Sequence, residues 1–257
     1  MPLYGYKNMK IYKTDKIAFR FSPRPEEMLA GVSSNVLDAP KNALLSPQGK
    51  IIGVFDQQLV DADTCMLVVD SYAADTLRKE FNKYAAFSVT DWEELDEPVY
   101  YDLALSSQHS AVSENGEKPL AFPQGVGRII VGGEFEVTVS EEEFTAFRLD
   151  YEVPLHGVDF TDEMLLNVFP EDYVSYTKGC FVGQEVIARV HNLSDPPKKL
   201  GVKYEDQCSE AEKKIMTSKQ TDPQGRVRGF VFVDNEKSGK REAYQSLKSQ
   251  FKPLPKK

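Results

Sequence analysis

Hydrophobic and polar positions in the first part of the chain alternate in patterns that predict short strands and two helices. In chain order the predicted elements are a helix in SPRPEEMLAG (22–31), a hairpin in ALLSPQGKIIGVF (43–55), a strand in TCMLVV (64–69), a helix (70–84) and β-like runs in AFSVT (86–90) and VYYDLAL (99–105). The second helix places Leu77, Phe81 and Tyr84 on one face, behind a Ser/Asp cap. Strands followed by a helix that packs on them predict a small α+β sandwich.

The second part of the chain follows a loop of small and polar residues at 106–119, which is a predicted domain boundary or flexible crossing point. Its predicted elements are strands in RIIV (128–131), FEVTV (135–139) and YVSYT (173–177), a helix from the capping box of Ser140 and Glu143 to Tyr151, a helix in QEVIARVH (184–191), and short strands in KKLGVKYED, KKIMTS and GRVRGFVFVD (198–234). A Pro-Pro linker precedes the last strands, which are therefore predicted to form a small separate β domain.

Composition and charge exclude several classes of protein. The 257 residues are 41% hydrophobic, which is enough for real cores, and no apolar run approaches the roughly 20 residues that a membrane helix needs. The net charge of −9 divides into +5 on residues 236–257 and −14 on the rest. Because an acidic body repels phosphates, direct nucleic-acid binding is not expected, and no membrane association is expected either. The basic tail is expected to be a solvated terminus.

One of the three cysteines lies in an unusual setting. Cys180 belongs to KGCFVGQE, a turn bracketed by glycines just ahead of the helix predicted at 184–191. The helix dipole and the neighbouring Lys178 ammonium would favour a thiolate there, and a thiolate is a nucleophile or a metal ligand. The alternative from the residues alone is that Cys180 is a small apolar plug in a turn.

Spacing excludes two other roles for this cysteine. A closed zinc or iron–sulfur site needs about four ligands, and the other cysteines and the histidines are scattered, so each is expected to be structural. They are Cys65, Cys208, His109, His156 and His191. A catalytic pair of Cys180 with His191 would have to span about 16 Å along a helix, so a cysteine hydrolase is rejected.

The stretch KGCFVGQEVIARV resembles the signature of the YgfZ-type folate-binding proteins and their mitochondrial iron–sulfur assembly homologues: Lys-Gly-Cys, an aromatic residue, Gly-Gln-Glu, and an Ala-Arg pair. Three further segments are similar to segments of that family: RLDYEVPLHGVDF (148–160), LAGVSSNV (29–36) and LLSPQGKIIGVF (44–55). The resemblance covers about residues 17–205. Two departures are Asp150, where the family has Glu, and Glu152, where it has Gly.

The resemblance implies an α+β fold related to the glycine-cleavage aminomethyltransferase GcvT, with three domains around a central channel. Residues 1–40 together with 119–197 would form the folate-binding domain that carries KGCFVGQE. Residues 41–118 would form a ferredoxin-like α+β domain. Residues 198–257 would form the short C-terminal β domain with its basic tail.

Site residues follow from the same resemblance. Cys180 and Lys178 are the predicted reactive residues, and the predicted folate-binding residues are Asp150, Asp70, Arg148, Gly179, Gly183, Gln184 and Glu185. Asp150 is the leading carboxylate, because a carboxylate binds the amidine-like donor edge of a pterin with two parallel hydrogen bonds. Asp70 is equally well explained as a helix N-cap. Arg148 would meet the folate glutamate tail or pair with the acidic residues 141–143.

Two functions are compatible with the resemblance. The first is an accessory protein that binds tetrahydrofolate or a derivative and uses Cys180 to mature or repair iron–sulfur clusters in client enzymes, possible tRNA-modifying enzymes among them. Any cluster would be shared with an A-type iron–sulfur carrier or a cluster-containing client, because the chain lacks further ligands. The second is a tetrahydrofolate-dependent aminomethyltransferase of the glycine-cleavage type, which leaves KGC unexplained. Without an Arg/Ser-rich leader, the protein is expected in the cytoplasm, or in the mitochondrial matrix of a eukaryote.

Overall fold

The computed structural model of the protein describes residues 9–104, 119–169, 172–193 and 195–235. The strands are β1 Ile11–Lys13, β2 Ile17–Ser22, β3 Lys41–Leu45, β4 Ile51–Asp61, β5 Thr64–Val69, β6 Asp91–Leu95, β7 Val99–Asp102, β8 Leu120–Pro123, β9 Arg128–Val131, β10 Lys198–Tyr204, β11 Thr217–Thr221 and β12 Val227–Asp234. The helices are α1 Pro25–Leu29, α2 Ser71–Ala85, α3 Glu141–Asp150, α4 Leu165–Val168, α5 Gln184–Leu193 and α6 Glu210–Ile215. The loop predicted at 106–119, with His109, and the basic tail fall almost wholly outside the described residues.

The strands of the described residues form three antiparallel sheets. The largest has the order β3-β4-β5-β2-β6, the second β1-β7-β9-β8 and the third β10-β12-β11. Strand β2 precedes the hairpin in the chain but lies between β5 and β6 in the sheet. The protein is therefore a mixed structure of antiparallel sheets and helices, as predicted. The division of the chain at residues 40, 118 and 197 stays a prediction.

Helix α2 packs on the five-stranded sheet through the face that its periodicity predicts. Leu77 and Phe81 are fully buried, and Tyr84 is partly buried beside them. Gly53 of β4 passes directly beneath the helix, because a Cβ atom at this position would lie only 2.7 Å from Cδ1 of Leu77. The close approach of helix and sheet thus depends on a glycine in the strand.

Helix α3 begins at the capping box that its sequence predicts. The Ser140 hydroxyl accepts a hydrogen bond from the Glu143 backbone N–H at 3.2 Å, and the Glu143 carboxylate accepts one from the Ser140 N–H at 2.9 Å. The helix ends at Asp150, and Glu152 follows with a φ of 51°. That left-handed backbone favours glycine, so a glutamate here is strained.

The strand predicted in AFSVT is wrong. After α2 the chain keeps turning, since the Phe87 N–H donates to the Tyr84 carbonyl at 3.1 Å. The Phe87 side chain is 92% exposed, so its apolar character does not mark a buried strand position. The strand in this part of the sheet is β6, which the sequence reading did not predict, and it pairs with β2.

The strand predicted in FEVTV is also wrong, and the strand predicted in KKIMTS is only partly right. The Thr138 and Val139 N–H groups both donate to the Ile11 carbonyl, at 2.9 and 3.0 Å, so these residues do not form a regular ladder. The first residues of KKIMTS belong to α6, which opens at a capping box that was overlooked. Its last residues enter β11.

A single buried core joins the five-stranded sheet to the three-stranded sheet. It includes Val54 of β4, Ile187 of α5, and Leu200 and Phe230 of the third sheet. Helices α4 and α5 contribute side chains to the same core, which fixes the position of the chain that leads into α5. Among the helices that the structure describes, none has the length and apolar character to span a membrane.

Candidate functional site

The segment 172–183, called here the cysteine loop, leads into α5 and carries Cys180. The strand predicted in YVSYT lies in this loop and is wrong, because the loop bonds to a distant turn instead of to a neighbouring strand. The Ser34 hydroxyl donates to the Tyr173 carbonyl at 2.6 Å, and the Ser175 N–H donates to the Ser34 carbonyl at 3.0 Å. The motif LAGVSSNV thus supplies the support on which the cysteine loop rests.

Lys178 ties the loop to the same turn. Its Nζ atom donates to the Ser33 carbonyl at 2.6 Å and to the Asn35 carbonyl at 2.8 Å, and it lies 5.6 Å from the centre of the Phe181 ring. Loss of water contact on burial lowers the pKa of Lys178 to about 8. The side chain is therefore a tether that loses its charge as the pH rises through about 8.

The end of the loop packs against the hairpin turn between β3 and β4. Gly183 has a φ of 84°, and a Cβ atom there would lie 2.6 Å from the Ser46 carbonyl oxygen. On the other side of the same contact, a Cβ atom at Gly49 of the hairpin turn would lie 3.3 Å from Cγ1 of Val186 in α5. The segments LAGVSSNV and SPQG, which are far apart in the chain, thus contact the cysteine loop at residues on either side of Cys180.

Replacement of Gly183 by alanine is expected to destabilise this junction. The left-handed backbone and the contact with Ser46 together predict a loss of about 1–3 kcal/mol in the free energy of unfolding, measured by chemical denaturation. The matched control is Gly179→Ala in the same loop, where a Cβ atom would have no neighbour within 4 Å. Equal effects of the two substitutions would contradict the close approach.

Cys180 is the exposed one of the three free cysteines. Burial raises the pKa of Cys65 to about 12, and it also raises the pKa of Cys208, whose Sγ donates to the Tyr204 carbonyl at 3.3 Å. Both of these thiols are thus protonated at neutral pH. Among the described residues, no group of three or more His, Cys, Asp and Glu side chains is arranged to hold a metal ion.

Helix α5 follows the loop as predicted, beginning at Gln184, whose N–H donates to the Phe181 carbonyl at 3.2 Å. Glu185 lies on the exposed side of its first turn and pairs with Arg189 at 2.8 Å. The His191 ring at the other end stacks on Tyr176 of the cysteine loop, with the ring centres 3.9 Å apart. The histidine therefore helps to hold the loop against the helix.

A cavity of about 380 Å³ lies where residues of all three sheets come together. Its polar lining includes Lys16, Lys41, Asp56, Asp70, Gln124 and Asp172. Aromatic rings complete the wall, Tyr173 of the cysteine loop and Phe230 of β12 among them. The volume falls within the range of about 300–1,000 Å³ that is usual for small-molecule sites.

Asp70 occupies the N-cap position of α2 and also lines the cavity, and its role in folate binding stays a prediction. Its side chain makes no capping hydrogen bond. One oxygen accepts from Lys16 Nζ at 2.5 Å and the other from the His156 N–H at 3.1 Å. Burial acts to lower the pKa of Lys16, but Asp70 and Asp56 outweigh it and raise that pKa overall. Asp70 and Lys16 thus form an ion pair in the cavity wall.

Asp150 lies away from this cavity. Its side chain is 53% exposed at the end of α3, and it accepts a hydrogen bond from Arg228 Nη1 at 2.6 Å. It borders a separate surface depression with Lys10 and Glu143. The structure therefore does not bring Asp150 together with Asp70.

Arg148 does not pair with the acidic residues 141–143, and its contact with a folate glutamate tail stays a prediction. Its guanidinium is buried and pairs with Asp159, Nη1 to Oδ2 at 2.6 Å, while Nη2 donates to the Ser218 hydroxyl at 2.8 Å. The acidic residues 141–143 lie in the first turn of α3, and this arginine turns inward from the last turn. It joins α3 to the third sheet.

The buried carboxylate that faces the cavity from β4 was missed in the sequence. Asp56 is 9% exposed and lies across from Lys41 of β3 in the strand register. It belongs to IIGVFDQQLV, where the two-residue period of a strand puts it on the same face as Val54. A charged residue at a core-facing position of an apolar strand is the feature that identifies it.

Comparison with known proteins identifies the class of fold. No family model matches the chain, and no curated protein matches it either. Among solved structures, the chain is similar to the glycine cleavage system aminomethyltransferase T from Bartonella henselae, with a TM-score of 0.65 and 14% sequence identity over 87% of this chain and 78% of that one. The GcvT-related fold is thereby confirmed. Membership of the YgfZ-type family, the three-domain arrangement and the central channel stay predictions.

Proposed function

We propose that the protein is a YgfZ-type folate-binding accessory factor that helps to mature or repair iron–sulfur clusters in client enzymes. The observation that supports it is the course of the cysteine loop. The loop begins in the cavity wall with Asp172 and Tyr173 and carries the exposed Cys180 near its other end, shortly before α5. A ligand in the cavity and a partner at the thiol would therefore contact two ends of one short segment.

Tetrahydrofolate or a derivative occupies the cavity in this proposal. The aromatic wall suits a flat pterin ring, and the buried carboxylates suit its donor edge. Asp150 lies outside the cavity. We therefore propose that the buried carboxylates of the cavity wall, Asp56 and Asp70, bind the pterin in its place. Gly183, Gln184 and Glu185 then act by shaping the loop and the helix that follows it.

Cys180 supplies one ligand to a cluster that the protein shares with a partner. A cluster needs further thiolates, and the described residues offer no group arranged for a metal. An A-type carrier or a cluster-containing client would supply the others. Lys178 positions the thiol by anchoring the loop to the turn at residues 33–35. The action on tRNA-modifying enzymes is indirect, and the cytoplasm is the proposed compartment.

The second candidate is an aminomethyltransferase of the glycine-cleavage type, which the similarity in fold favours. The exposed thiol has no part in that transfer. Incubation with tetrahydrofolate and the aminomethyl-loaded carrier protein of glycine cleavage distinguishes the two candidates. We expect no methylene-tetrahydrofolate above background, and sustained turnover would favour the transferase.

The Cys180→Ser variant is expected to lose cluster sharing completely, because it removes the ligand and leaves the loop contacts in place. The wild-type protein, mixed with a cluster-loaded A-type carrier, should form a coloured heteromeric complex in size-exclusion chromatography. The variant should leave the colour with the carrier alone. Cys208→Ser is the matched control, since its thiol is buried and bonded to Tyr204.

Client-enzyme activity in a deletion strain provides the second measurement for the same variants. Restoration by the wild type and by Cys208→Ser, but not by Cys180→Ser, is the expected result. A Cys180→Ser protein that binds the cluster and restores the client enzyme would show that the loop is structural.

A further inference from the structure

Asp56 is a buried carboxylate that forms no ion pair among the described residues. It is 9% exposed and opens into the cavity, and the amide of Gln124 approaches its side chain. Burial raises the pKa of Asp56, while Lys16 and Lys41 act in the opposite direction. Asp70, in contrast, is fully engaged by Lys16 and His156. Because a carboxylate has about four acceptor positions, Asp56 can accept hydrogen bonds from a ligand in addition to its contact with Gln124.

Gln124 presents a buried donor beside this carboxylate. Its Nε2 atom is shielded from solvent and has no hydrogen bond of ordinary geometry within the described part of the chain. Its amide adjoins Asp56 closely enough to act on the pKa of that carboxyl, in the downward direction. A buried N–H group left without an acceptor costs about 1–3 kcal/mol, so a ligand that supplies an acceptor here gains affinity.

The two side chains complement one kind of chemical edge. An ionised carboxylate accepts two parallel N–H hydrogen bonds, and an amide NH₂ beside it donates to a carbonyl oxygen. A 2-amino-4-oxopyrimidine ring offers this series: an amino group, a ring N–H and a carbonyl oxygen. The apolar remainder of the ring would face aromatic side chains such as Tyr101 and Tyr173, which line the same cavity.

We propose that Asp56 and Gln124 together recognise the 2-amino-4-oxopyrimidine edge of the bound molecule. Pterins and guanine both carry this edge. The proposal rests on the proposed function only in taking the pterin of a folate as the first source.

Two ligands that differ at one position test the acceptor. Folic acid carries the 4-oxo group, and aminopterin has a 4-amino group in its place, which would put a donor against the Gln124 amide. In calorimetry the wild-type protein should bind folic acid more tightly. Gln124→Met should weaken the binding of folic acid by about tenfold and leave the affinity for aminopterin nearly unchanged, because only the 4-oxo ligand loses a hydrogen bond.

The carboxylate is tested by Asp56→Asn, which keeps the shape and removes the charge. Both ligands should bind at least about tenfold more weakly, since each loses a charge-assisted pair of hydrogen bonds. Asp61→Asn is the matched control, because Asp61 lies at the exposed end of the same strand. Thermal unfolding of each variant identifies a loss of fold. If Asp56→Asn does not fold, the change in ligand preference in Gln124→Met decides the proposal.

Guanosine distinguishes the source of the edge, and adenosine, which lacks this edge, is the negative control. Binding of guanosine but not of folic acid, abolished in Asp56→Asn, would support the recognition pair and overturn the folate part of the proposed function. Binding of folic acid with wild-type affinity by folded Asp56→Asn would overturn the recognition pair and leave the folate proposal standing. If the wild type binds neither class of ligand, both are overturned.

Discussion

Replacement of Asp159 by alanine is expected to lower the free energy of unfolding by about 3–5 kcal/mol, because it leaves a buried guanidinium without its counter-charge. The carboxylate of Asp159 is fully buried and accepts hydrogen bonds from Arg148 at 2.6 Å and from the Leu155 N–H at 2.9 Å. It also accepts from the hydroxyls of Thr217 at 2.8 Å and Ser218 at 2.6 Å. Denaturant unfolding followed by circular dichroism measures the loss.

Asp162→Ala is the control for this prediction. Asp162 lies three residues further along the chain and pairs with Lys50 at 2.6 Å, but its side chain is 75% exposed. Exposed ion pairs contribute about 0–1 kcal/mol, so its loss should be barely measurable. A similar, small effect of both substitutions would contradict the view that Asp159 holds α3, the following loop and the third sheet together.

Replacement of Phe81 by alanine is expected to destabilise the protein by about 3–5 kcal/mol, because it removes a large buried ring and leaves a cavity. Phe81 lies on the buried face of α2 and is fully buried. Its ring centre is 4.9 Å from that of Phe21, 5.5 Å from that of Phe19 and 5.7 Å from that of Trp92. These edge-on contacts add to the area that it buries. The midpoint of denaturant unfolding should fall accordingly.

Phe87→Ala provides the comparison in the same region. Phe87 follows α2 and is 92% exposed, so its removal should change the free energy of unfolding by less than about 0.5 kcal/mol. A large loss from Phe87→Ala, or a small one from Phe81→Ala, would mean that the helix packs on the sheet through a different face.

Local patterns predicted the elements whose stabilising contacts are close in the chain. The i, i+4 spacing of Leu77 and Phe81 predicted the buried face of α2, and the reciprocal bonds of Ser140 and Glu143 begin α3 where the capping box was found. The turn before α5 was predicted for the same reason. In each case the residues that decide the structure lie within about one helical turn of each other.

Predictions failed where distant parts of the chain supply the hydrogen bonds. The YVSYT segment has strand-forming residues, but its backbone pairs with the turn that contains Ser34. In the FEVTV segment, two backbone N–H groups donate to one carbonyl, that of Ile11, instead of pairing with a strand. Strand preference depends on the surface that a segment packs against, which a local pattern does not contain.

The sequence by itself determined that Cys180 lies in a glycine-bracketed turn ahead of a helix, and its motif pointed to the GcvT-related fold that the structural comparison supports. Only the tertiary structure decided that Asp150 lies outside the cavity while Asp56 and Gln124 face it together. The physical reason is the range of the contacts. A turn and a helix start are set by neighbouring residues, whereas a cavity wall forms only when separate sheets pack and bring their side chains to one place.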